Sequence, residues 1–359
     1  MNDEKNNGLL NVKWNIFSEQ RTALYGICIL WIMIYHAYEM HIDKLSSMPF
    51  IKSVLKHGNS GVEIFFLLAG ISSYYSFKKN PNIKRYYKKR IVRIMTPVIL
   101  VDWTYWGVTC MTEGRGISWF LKEITFYAFW SGGGDIQVWY IATLLLLYFM
   151  FPFIYRYLEN DQKRKYRVLC LIGVQYVLCF LMYYTAHGQI RSWYGSTEIA
   201  LMRLPSFFLG VYFGKKAYDE NKVSSRYLKV SFAISLLILL EFYYKILPVN
   251  SLYRIVYFIM IFGLPLWMCI FLKYHFSPNG KIYRMLVFAG QRSLELYLVH
   301  VIVRRVYWGS SLFIAESGHD TENLIAYFLI VGCFSVIVAE GVYRISNRLT
   351  KKILQKNCL

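Results

Sequence analysis

Two residues that could transfer protons lie inside apolar stretches of this chain. His36 lies near the end of LWIMIYHAYEMH, and Glu63 lies at the start of GVEIFF. An ionisable group inside a bilayer is costly, so each is a functional candidate. A carboxylate can fix the tautomer of a histidine and stabilise its protonated form, which predicts a general base. The alternative is an interfacial histidine facing headgroups and a solvated glutamate at a helix start, where the helix dipole favours it.

Four further residues lie in the same half of the predicted bundle as His36: Trp139, Tyr140, Arg203 and His300. Arg203 stands beside a proline in an apolar stretch and needs an anionic or carbonyl partner there. Arg203 or the region of Trp139 could stabilise an oxyanion or position the acceptor of a reaction. Trp139 and Tyr140 could equally belong to an aromatic belt at the membrane interface.

A pair of arginines in RYYKKRIVRIMTP could bind phosphates. Arg90 and Arg93 are three residues apart, so they share one face of a helix just where it would enter the bilayer. Forked guanidinium groups can clamp phosphate oxygens. The alternative is a cytoplasmic basic cluster that contacts acidic lipids.

The composition predicts a membrane protein. Of the 359 residues, 56% are hydrophobic and only 17% are charged. The formal net charge is +20, but the basic residues form short runs between apolar stretches, which indicates topology signals rather than nucleic-acid binding. The seven cysteines are scattered without metal-ligand spacing, so neither a disulfide framework nor a metal site is expected.

Ten apolar segments are long enough to cross a bilayer as helices. They are residues 22–41, 60–77, 91–111, 139–157, 167–186, 199–217, 228–247, 252–273, 283–303 and 324–345. The even-numbered loops are the more basic, which places them and both termini in the cytoplasm. We therefore predict an all-α integral membrane protein, a bundle of about ten transmembrane helices, with a cytoplasmic segment 1–21, a membrane domain 22–345 and a basic cytoplasmic tail 346–359.

Three details of these helices are also predicted. Pro97 should kink the third helix near its start, and Arg203 with Pro205 should interrupt the sixth. Arg292 and Glu295 are three residues apart and are expected to pair within the ninth helix.

Taken in order, these stretches resemble the acyltransferase family 3 membrane proteins, which include bacterial surface-polysaccharide O-acetyltransferases. The pattern runs from Arg21 to His36 and continues through GVEIFFLLAGISSYYSF, YYKKRIVRIMTP, VWYIATLLLLYFMFPF, RLPSFFLGVYFG and SLELYLVH. The chain departs from the family at three places: Glu63 where Asp is frequent, Ala69 where Ser is frequent, and Tyr25-Gly26-Ile27 where an Asp is frequent. The longer Glu63 leaves the geometry of a pair with His36 open.

The resemblance implies transfer of an acyl group, by default acetyl, from cytoplasmic acyl-CoA to a hydroxyl of a carbohydrate or cell-envelope acceptor at the outer face of a bacterial cytoplasmic membrane. His36 matches the family's essential first-helix histidine, and Glu63 matches the acidic residue of its GV(D/E)-FF motif. His36 could act as a general base or as an acylated nucleophile, and the sequence leaves both open. Arg90 and Arg93 match the RxxR motif and would hold acyl-CoA. The implied partners are membrane lipids, acyl-CoA and the acceptor, and an oligomer or a separate extracytoplasmic protein stays open.

Two other classes of function compete with an enzyme. A transporter or exporter of a glycan or lipid intermediate would use the same His, Arg and Glu residues as a substrate or proton pathway, although no inverted repeat is evident. A membrane sensor on the same scaffold would have lost catalysis. In predicted outer loops, three aromatic residues could stack on a sugar: Trp193, Tyr194 and Trp308.

Overall fold

The computed structural model describes residues 11–39, 49–133, 138–159, 162–247, 253–309 and 325–355. Within these ranges the chain is all-helical, as predicted, and the sole β feature is an isolated bridge between Lys13 and Lys222. The α-helices of the first half that are longer than four residues are α1 Arg21–Glu39, α2 Pro49–Lys56, α3 Gly61–Lys79, α4 Ile83–Val98, α5 Thr104–Thr112, α6 Ile117–Ile124, α7 Trp139–Tyr157 and α8 Arg164–Thr185. Those of the second half are α9 Gly188–Leu201, α10 Leu204–Tyr218, α11 Ser225–Tyr244, α12 Arg254–Met260, α13 Leu264–His275, α14 Lys281–Gln291, α15 Ser293–Trp308 and α16 Ser335–Gln355.

Several helices are long and apolar enough to cross a membrane. Among the described residues, α7, α8, α11 and the helix Ile325–Gln355, which ends with α16, meet this condition singly. The pairs α12–α13 and α14–α15 meet it only as bent units, with angles of 41° and 75°. By length and composition the described structure therefore has four to six candidate spans. The predicted count of ten and the cytoplasmic position of both termini stay predictions.

The surface of α8 is apolar over most of its length. Its exposed side chains include Leu169, Val174, Val177, Leu178 and Leu181, each more than half accessible. Such a surface would be unfavourable in water, since each Å² of apolar area taken out of water gains about 25 cal/mol. It suits a helix that is surrounded by lipid chains.

The centre of the bundle is formed by α3 and α10, which lie in direct backbone contact. The sequence of α3 is apolar around most of its circumference, so the helix is buried on all sides. A Cβ added at Gly70 would collide with the Phe207 carbonyl group, and one added at Gly210 would collide with that of Leu67. Small residues at these positions therefore allow the close approach, as they do in many membrane helix pairs.

The ninth predicted span is broken. Arg292, between α14 and α15, has φ −108° and ψ 12°, and Gly290 just before it lies against the Thr22 carbonyl group of α1. The predicted pair of Arg292 with Glu295 is wrong, because three-residue spacing aligns side chains only in a continuous helix. Arg292 instead donates to Glu340 on α16. Glu295 accepts a hydrogen bond from Ser346, which is also on α16.

The third predicted span continues through its proline with altered hydrogen bonding. Pro97 lies inside α4, and a π-helical segment, Ile99–Trp103, follows and leads into α5. Proline removes one backbone donor, and a π-helical turn is one way in which a helix accommodates irregular bonding. The segment brings the Asp102 carboxylate to the interior, where the residue is 6% exposed. The predicted interruption near Arg203 is confirmed as the junction of α9 and α10.

The backbone contact between α3 and α10 makes a first prediction. Gly210→Ala should lower the melting temperature of the detergent-solubilised protein, because the new methyl group meets a backbone carbonyl that cannot move independently of its helix. Gly173→Ala in α8 is the matched control, since nothing lies within 4 Å of its added Cβ. Alanine is favoured over glycine in a helix by up to about 1 kcal/mol, so the control should be neutral or stabilising. Equal melting temperatures for the two variants would contradict the close packing.

Candidate active site

A buried ion pair joins α3 to the start of α10. Arg203 Nε lies 3.0 Å from Glu63 Oε1, and Ser206 Oγ donates to Glu63 Oε2 at 2.5 Å. Arg203 also donates to the Ile199 carbonyl at 3.1 Å, and its guanidinium lies 4.7 Å from the centre of the Trp139 ring. Both charged side chains are at most 1% exposed. The arginine thus has the anionic and carbonyl partners that its position in the sequence requires.

A second ion pair lies nearby. Arg254 Nη2 on α12 is 3.1 Å from Glu198 Oε1 on α9, and Arg254 is also within electrostatic range of Glu63. The two ion pairs together contain two carboxylates and two guanidinium groups, so their charges balance. Balance is needed, since a buried charge without a partner costs several kcal/mol.

His36 is held by an arginine that the sequence reading did not select. Arg304 Nη1 on α15 lies 3.1 Å from His36 Nδ1. A guanidinium group can only donate, so Nδ1 is the acceptor and the proton of the neutral ring is on Nε2. The His300 ring lies beside it, with 5.4 Å between the ring centres. The structure thus brings together two of the predicted site residues.

His300 is fixed in the opposite tautomer. Its Nδ1 is 2.6 Å from the Leu296 carbonyl oxygen, which can only accept, so Nδ1 carries the proton. Its Nε2 is therefore a lone-pair acceptor when the ring is neutral. This atom is buried and has no hydrogen-bond partner among the described residues. An imidazole nitrogen with an available lone pair thus lies next to His36.

Glu63 on α3 and His36 on α1 lie at different heights along the axis of α1. A Cβ added at Gly61, the first residue of α3, would be 3.2 Å from the Cys28 carbonyl oxygen. The start of α3 therefore lies beside Cys28, which is eight residues, or about 12 Å of helix, before His36. The structure gives each residue separate partners, Arg203 and Ser206 for Glu63 and Arg304 for His36. That Glu63 orients His36 stays a prediction.

A cluster of guanidinium groups lies at the Arg21 end of the bundle. Arg90 Nη2 donates to the Ser72 carbonyl at 2.8 Å, and Arg21 Nη1 donates to the Ser72 hydroxyl at 3.3 Å. Arg93 is exposed on the same helix as Arg90. Partial burial and the positive charges of Arg90 and Arg93 lower the pKa of Lys89, which indicates a positive potential. Arg21 therefore adds a third cation to the predicted pair.

Tyrosine rings lead from this cluster toward the histidines. The Arg90 guanidinium lies 5.0 Å from the Tyr148 ring centre, and Tyr148 is within electrostatic range of both Tyr25 and Tyr140. Tyr140 contacts Tyr297 with 4.9 Å between ring centres. Tyr297 in turn lies 5.9 Å from the His300 ring. We call Tyr148, Tyr25, Tyr140 and Tyr297 the tyrosine tract.

The aromatic residues of the predicted site lie inside the bundle. Trp139 and Tyr140 are 9% and 6% exposed, so the interpretation as a lipid-facing belt is wrong. The predicted stacking of Tyr194 on a sugar is also wrong, because this side chain is only 1% exposed. The Trp193 indole N–H is bonded to the Trp130 carbonyl oxygen at 2.7 Å.

Three polar residues in or near the site lie outside the predicted set: Arg21, Arg304 and Asp102. The partners of Arg21 and Arg304 lie on distant helices, so no local pattern indicates them. Asp102 is a lone carboxylate in the apolar run VILVDWTYW, which was itself a usable signal. In the structure Asp102 lines a small cavity of about 10 Å³ together with Trp106 and Tyr297.

The fold combines apolar helices long enough to cross a membrane with ion pairs buried inside an apolar core. The sequence model of the family described as Acyltransferase domain matches residues 23–344. This match covers most of the chain, so the protein belongs to acyltransferase family 3, whose members are membrane proteins.

One relative supports the same conclusion. The protein named "Putative acetyltransferase ORF330" from Acidianus two-tailed virus is 25% identical over 299 residues, which are 79% of this chain and 82% of that protein. No solved protein structure matches the chain significantly. The comparisons therefore establish an acyltransferase, and the donor, the acceptor and the residue roles are matters for proposal.

The buried ion pair makes a second prediction. Glu63→Gln should destabilise the protein by about 3–5 kcal/mol, because it leaves the Arg203 guanidinium buried without an anion. Arg203→Met should destabilise the protein similarly, because it leaves the Glu63 carboxylate buried without a cation. The double variant should recover much of the lost stability. Thermal unfolding in detergent measures the cycle. Additive losses would show that the two residues are not coupled.

Proposed function

We propose that this protein transfers an acyl group, in the simplest case acetyl, from acyl-CoA to a hydroxyl of a carbohydrate or other cell-envelope acceptor. The observation that carries the proposal is the placement of a guanidinium cluster and a histidine pair along one helix, α1. Arg21 and His36 are fifteen residues apart, which is about 22 Å of helix. The family and the name of the relative support acyl transfer in general.

In this proposal the guanidinium cluster binds the phosphates of acyl-CoA. Three guanidinium groups, those of Arg21, Arg90 and Arg93, converge from two helices and can form charge-assisted hydrogen bonds to phosphate oxygens. An extended pantetheine arm with ordinary bond lengths reaches on the order of 20 Å. The thioester would therefore arrive near His36 while the nucleotide stays at the Arg21 end. The basic loops at that end favour a cytoplasmic donor.

The chemistry proceeds at His36 in one of two ways. As a general base, its Nε2 takes the proton of the acceptor hydroxyl while the oxygen attacks the thioester carbonyl, the C–S bond breaks and the proton passes to the CoA thiolate. As a nucleophile, its nitrogen attacks the thioester carbonyl, the C–S bond breaks, and the ring proton passes to the CoA thiolate. The acceptor hydroxyl then attacks the acyl-imidazole and returns its proton to the ring. Nε2 can act only when Nδ1 carries the proton, so Arg304 must leave Nδ1. The released guanidinium is then placed to stabilise the carbonyl oxyanion.

The other site residues have supporting roles in this scheme. His300 Nε2 can accept a hydrogen bond from the His36 ring or from the acceptor hydroxyl, because it has a lone pair and no partner among the described side chains. Glu63 positions the inner wall of the site through its ion pair with Arg203, and Trp139 lies against that pair. Tyr140 belongs to the tyrosine tract along which the pantetheine arm would lie.

His36 provides the third prediction. His36→Ala should lower acyl transfer at least about 100-fold, the range typical of losing a general acid–base group, without a change in melting temperature. The measurement is CoA release by the purified protein in lipid vesicles. His275→Ala is the matched control, since that histidine is exposed on α13 and bonds the Phe271 carbonyl of its own helix. Retained transfer by His36→Ala would refute the assignment.

The same preparation distinguishes base from nucleophile. Rapid acid quenching followed by mass spectrometry should find an acyl group on the peptide containing His36 if the histidine is the nucleophile. A wild-type protein that turns over without such an adduct acts through general-base catalysis.

The guanidinium cluster provides the fourth prediction. The double variant Arg90→Ala/Arg93→Ala should weaken the equilibrium binding of CoA at least tenfold, because it removes two of three charge-assisted contacts to phosphate. Arg156→Ala/Arg167→Ala, which removes two basic residues from another predicted cytoplasmic loop, should leave the affinity unchanged. Isothermal titration with CoA measures both. Equal affinities in the two double variants would assign Arg90 and Arg93 to lipid contacts and topology alone.

A further inference from the structure

A large cavity opens at the end of the bundle to which His36 belongs. Its volume is about 610 Å³, within the range of small-molecule sites. It lies among α5, α6 and the last turns of α15. Six of its lining side chains carry the argument: Trp106, Trp119, Glu113, Glu123, Arg115 and Arg305.

The cavity lies next to the histidine pair. Arg305, on its wall, follows Arg304, which binds His36, and donates to the Tyr105 hydroxyl at 3.2 Å. Tyr105 is also shared with the small cavity that Asp102 lines. A third wall residue of that small cavity, Tyr297, contacts His300. The two cavities thus share Tyr105 and Trp106, and a wall residue of the smaller one contacts His300.

The cavity lies at the opposite end of the bundle from the guanidinium cluster. Along α1 the chain runs from Arg21 to His36, and α15 runs beside it so that His300 and Arg304 are level with His36. Arg305 lies further along α15 and Gly309 directly follows its last residue, and both line the cavity. A ligand in this cavity would thus approach the histidines from the side opposite to acyl-CoA.

Among the described residues, the charges of the cavity wall cancel. They comprise two carboxylates, Glu113 and Glu123, and two guanidinium groups, Arg115 and Arg305. Arg115 Nε is 2.7 Å from Glu113 Oε2, and its guanidinium lies 4.5 Å from the Trp119 ring centre. A polyanion would need uncompensated cations, and an amine would need uncompensated carboxylates. The wall therefore favours an uncharged ligand.

The remaining chemistry of the wall suits a ligand with many hydroxyl groups. Carboxylates accept hydrogen bonds from hydroxyls and guanidinium groups donate to their oxygens, so both roles of a hydroxyl have partners. Indole and phenol rings supply flat apolar surfaces for the C–H faces of a sugar ring. An apolar ligand would offer no hydrogen bonds to the polar atoms of the wall.

We propose that this cavity binds the acceptor, and that the acceptor is a neutral sugar unit. One of its hydroxyl groups extends past Asp102 and Tyr297 to the histidine pair, where it receives the acyl group. The transfer step rests on the proposed function, but the binding of the sugar does not and can be measured by itself.

A glycan array tests the binding. The probes are neutral, uronate-containing and amino-sugar oligosaccharides, and the full chain is applied in detergent. The wild type should bind only the neutral oligosaccharides. Trp119→Ala and Glu123→Gln should each raise the dissociation constant for these sugars at least tenfold. A melting temperature for each variant shows that it is folded, and the partly exposed Trp119 provides the safer variant because Glu123 is buried.

Two variants are matched controls for these substitutions. Trp267→Ala removes an indole that bonds Ser231 between α11 and α13, and Glu220→Gln removes a carboxylate that pairs with Lys13. Neither residue lines the cavity. Both controls should bind neutral glycans as the wild type does. No binding anywhere on the array, a preference for charged sugars, or unchanged binding by Trp119→Ala overturns the proposal.

Enzyme kinetics separates this inference from the proposed function. With a neutral glycan from the array as acceptor, Trp119→Ala should raise the KM for the glycan at least tenfold and leave the KM for acyl-CoA unchanged. A wild-type protein that binds neutral glycans but transfers no acyl group would refute the reaction and keep the sugar site. Turnover with an unchanged acceptor KM in the variant would refute the sugar site and keep the reaction.

Discussion

The pairing of charges away from water governs this structure. Glu63 and Arg203 are almost completely buried, and either one alone would cost about 3–5 kcal/mol. Because they come from different helices, their contact fixes the rotation of α3 against α10, and the glycines at Gly70 and Gly210 allow the short separation that the contact needs. The neighbouring helices pack around this central pair, so the positions of the histidines and of the tyrosine tract depend on it.

The two histidines illustrate how partners determine chemistry. Each neutral imidazole has one nitrogen that donates and one that accepts. Arg304 makes Nδ1 of His36 the acceptor, whereas the Leu296 carbonyl group makes Nδ1 of His300 the donor. The two rings are therefore in complementary states, with the proton on Nε2 of His36 and a lone pair on Nε2 of His300.

The sequence predicted which residues are polar and interior, but not which of them meet. Apolar length and the order of motifs were enough to predict a helical membrane protein and to select His36, Arg203 and Arg90. The partners of these residues lie on helices far away in the chain, such as Arg304 for His36, and no local spacing encodes such contacts. The break at Arg292 was missed for the same reason, because it depends on the packing of Gly290 against α1.

The tyrosine tract has an electrical consequence. A membrane that separates two ion concentrations must not conduct protons, yet a protein that handles charged groups at both of its ends could provide a wire of hydroxyls and water between them. Here the groups of the tyrosine tract are phenols, of which Tyr140 and Tyr297 are in ring contact, and their deprotonation is unfavourable at neutral pH. In the proposed reaction the thioester arm would lie along phenols, which are poorer proton carriers at neutral pH than carboxylates or imidazoles, so the path of the donor would add no charged relay across the bundle.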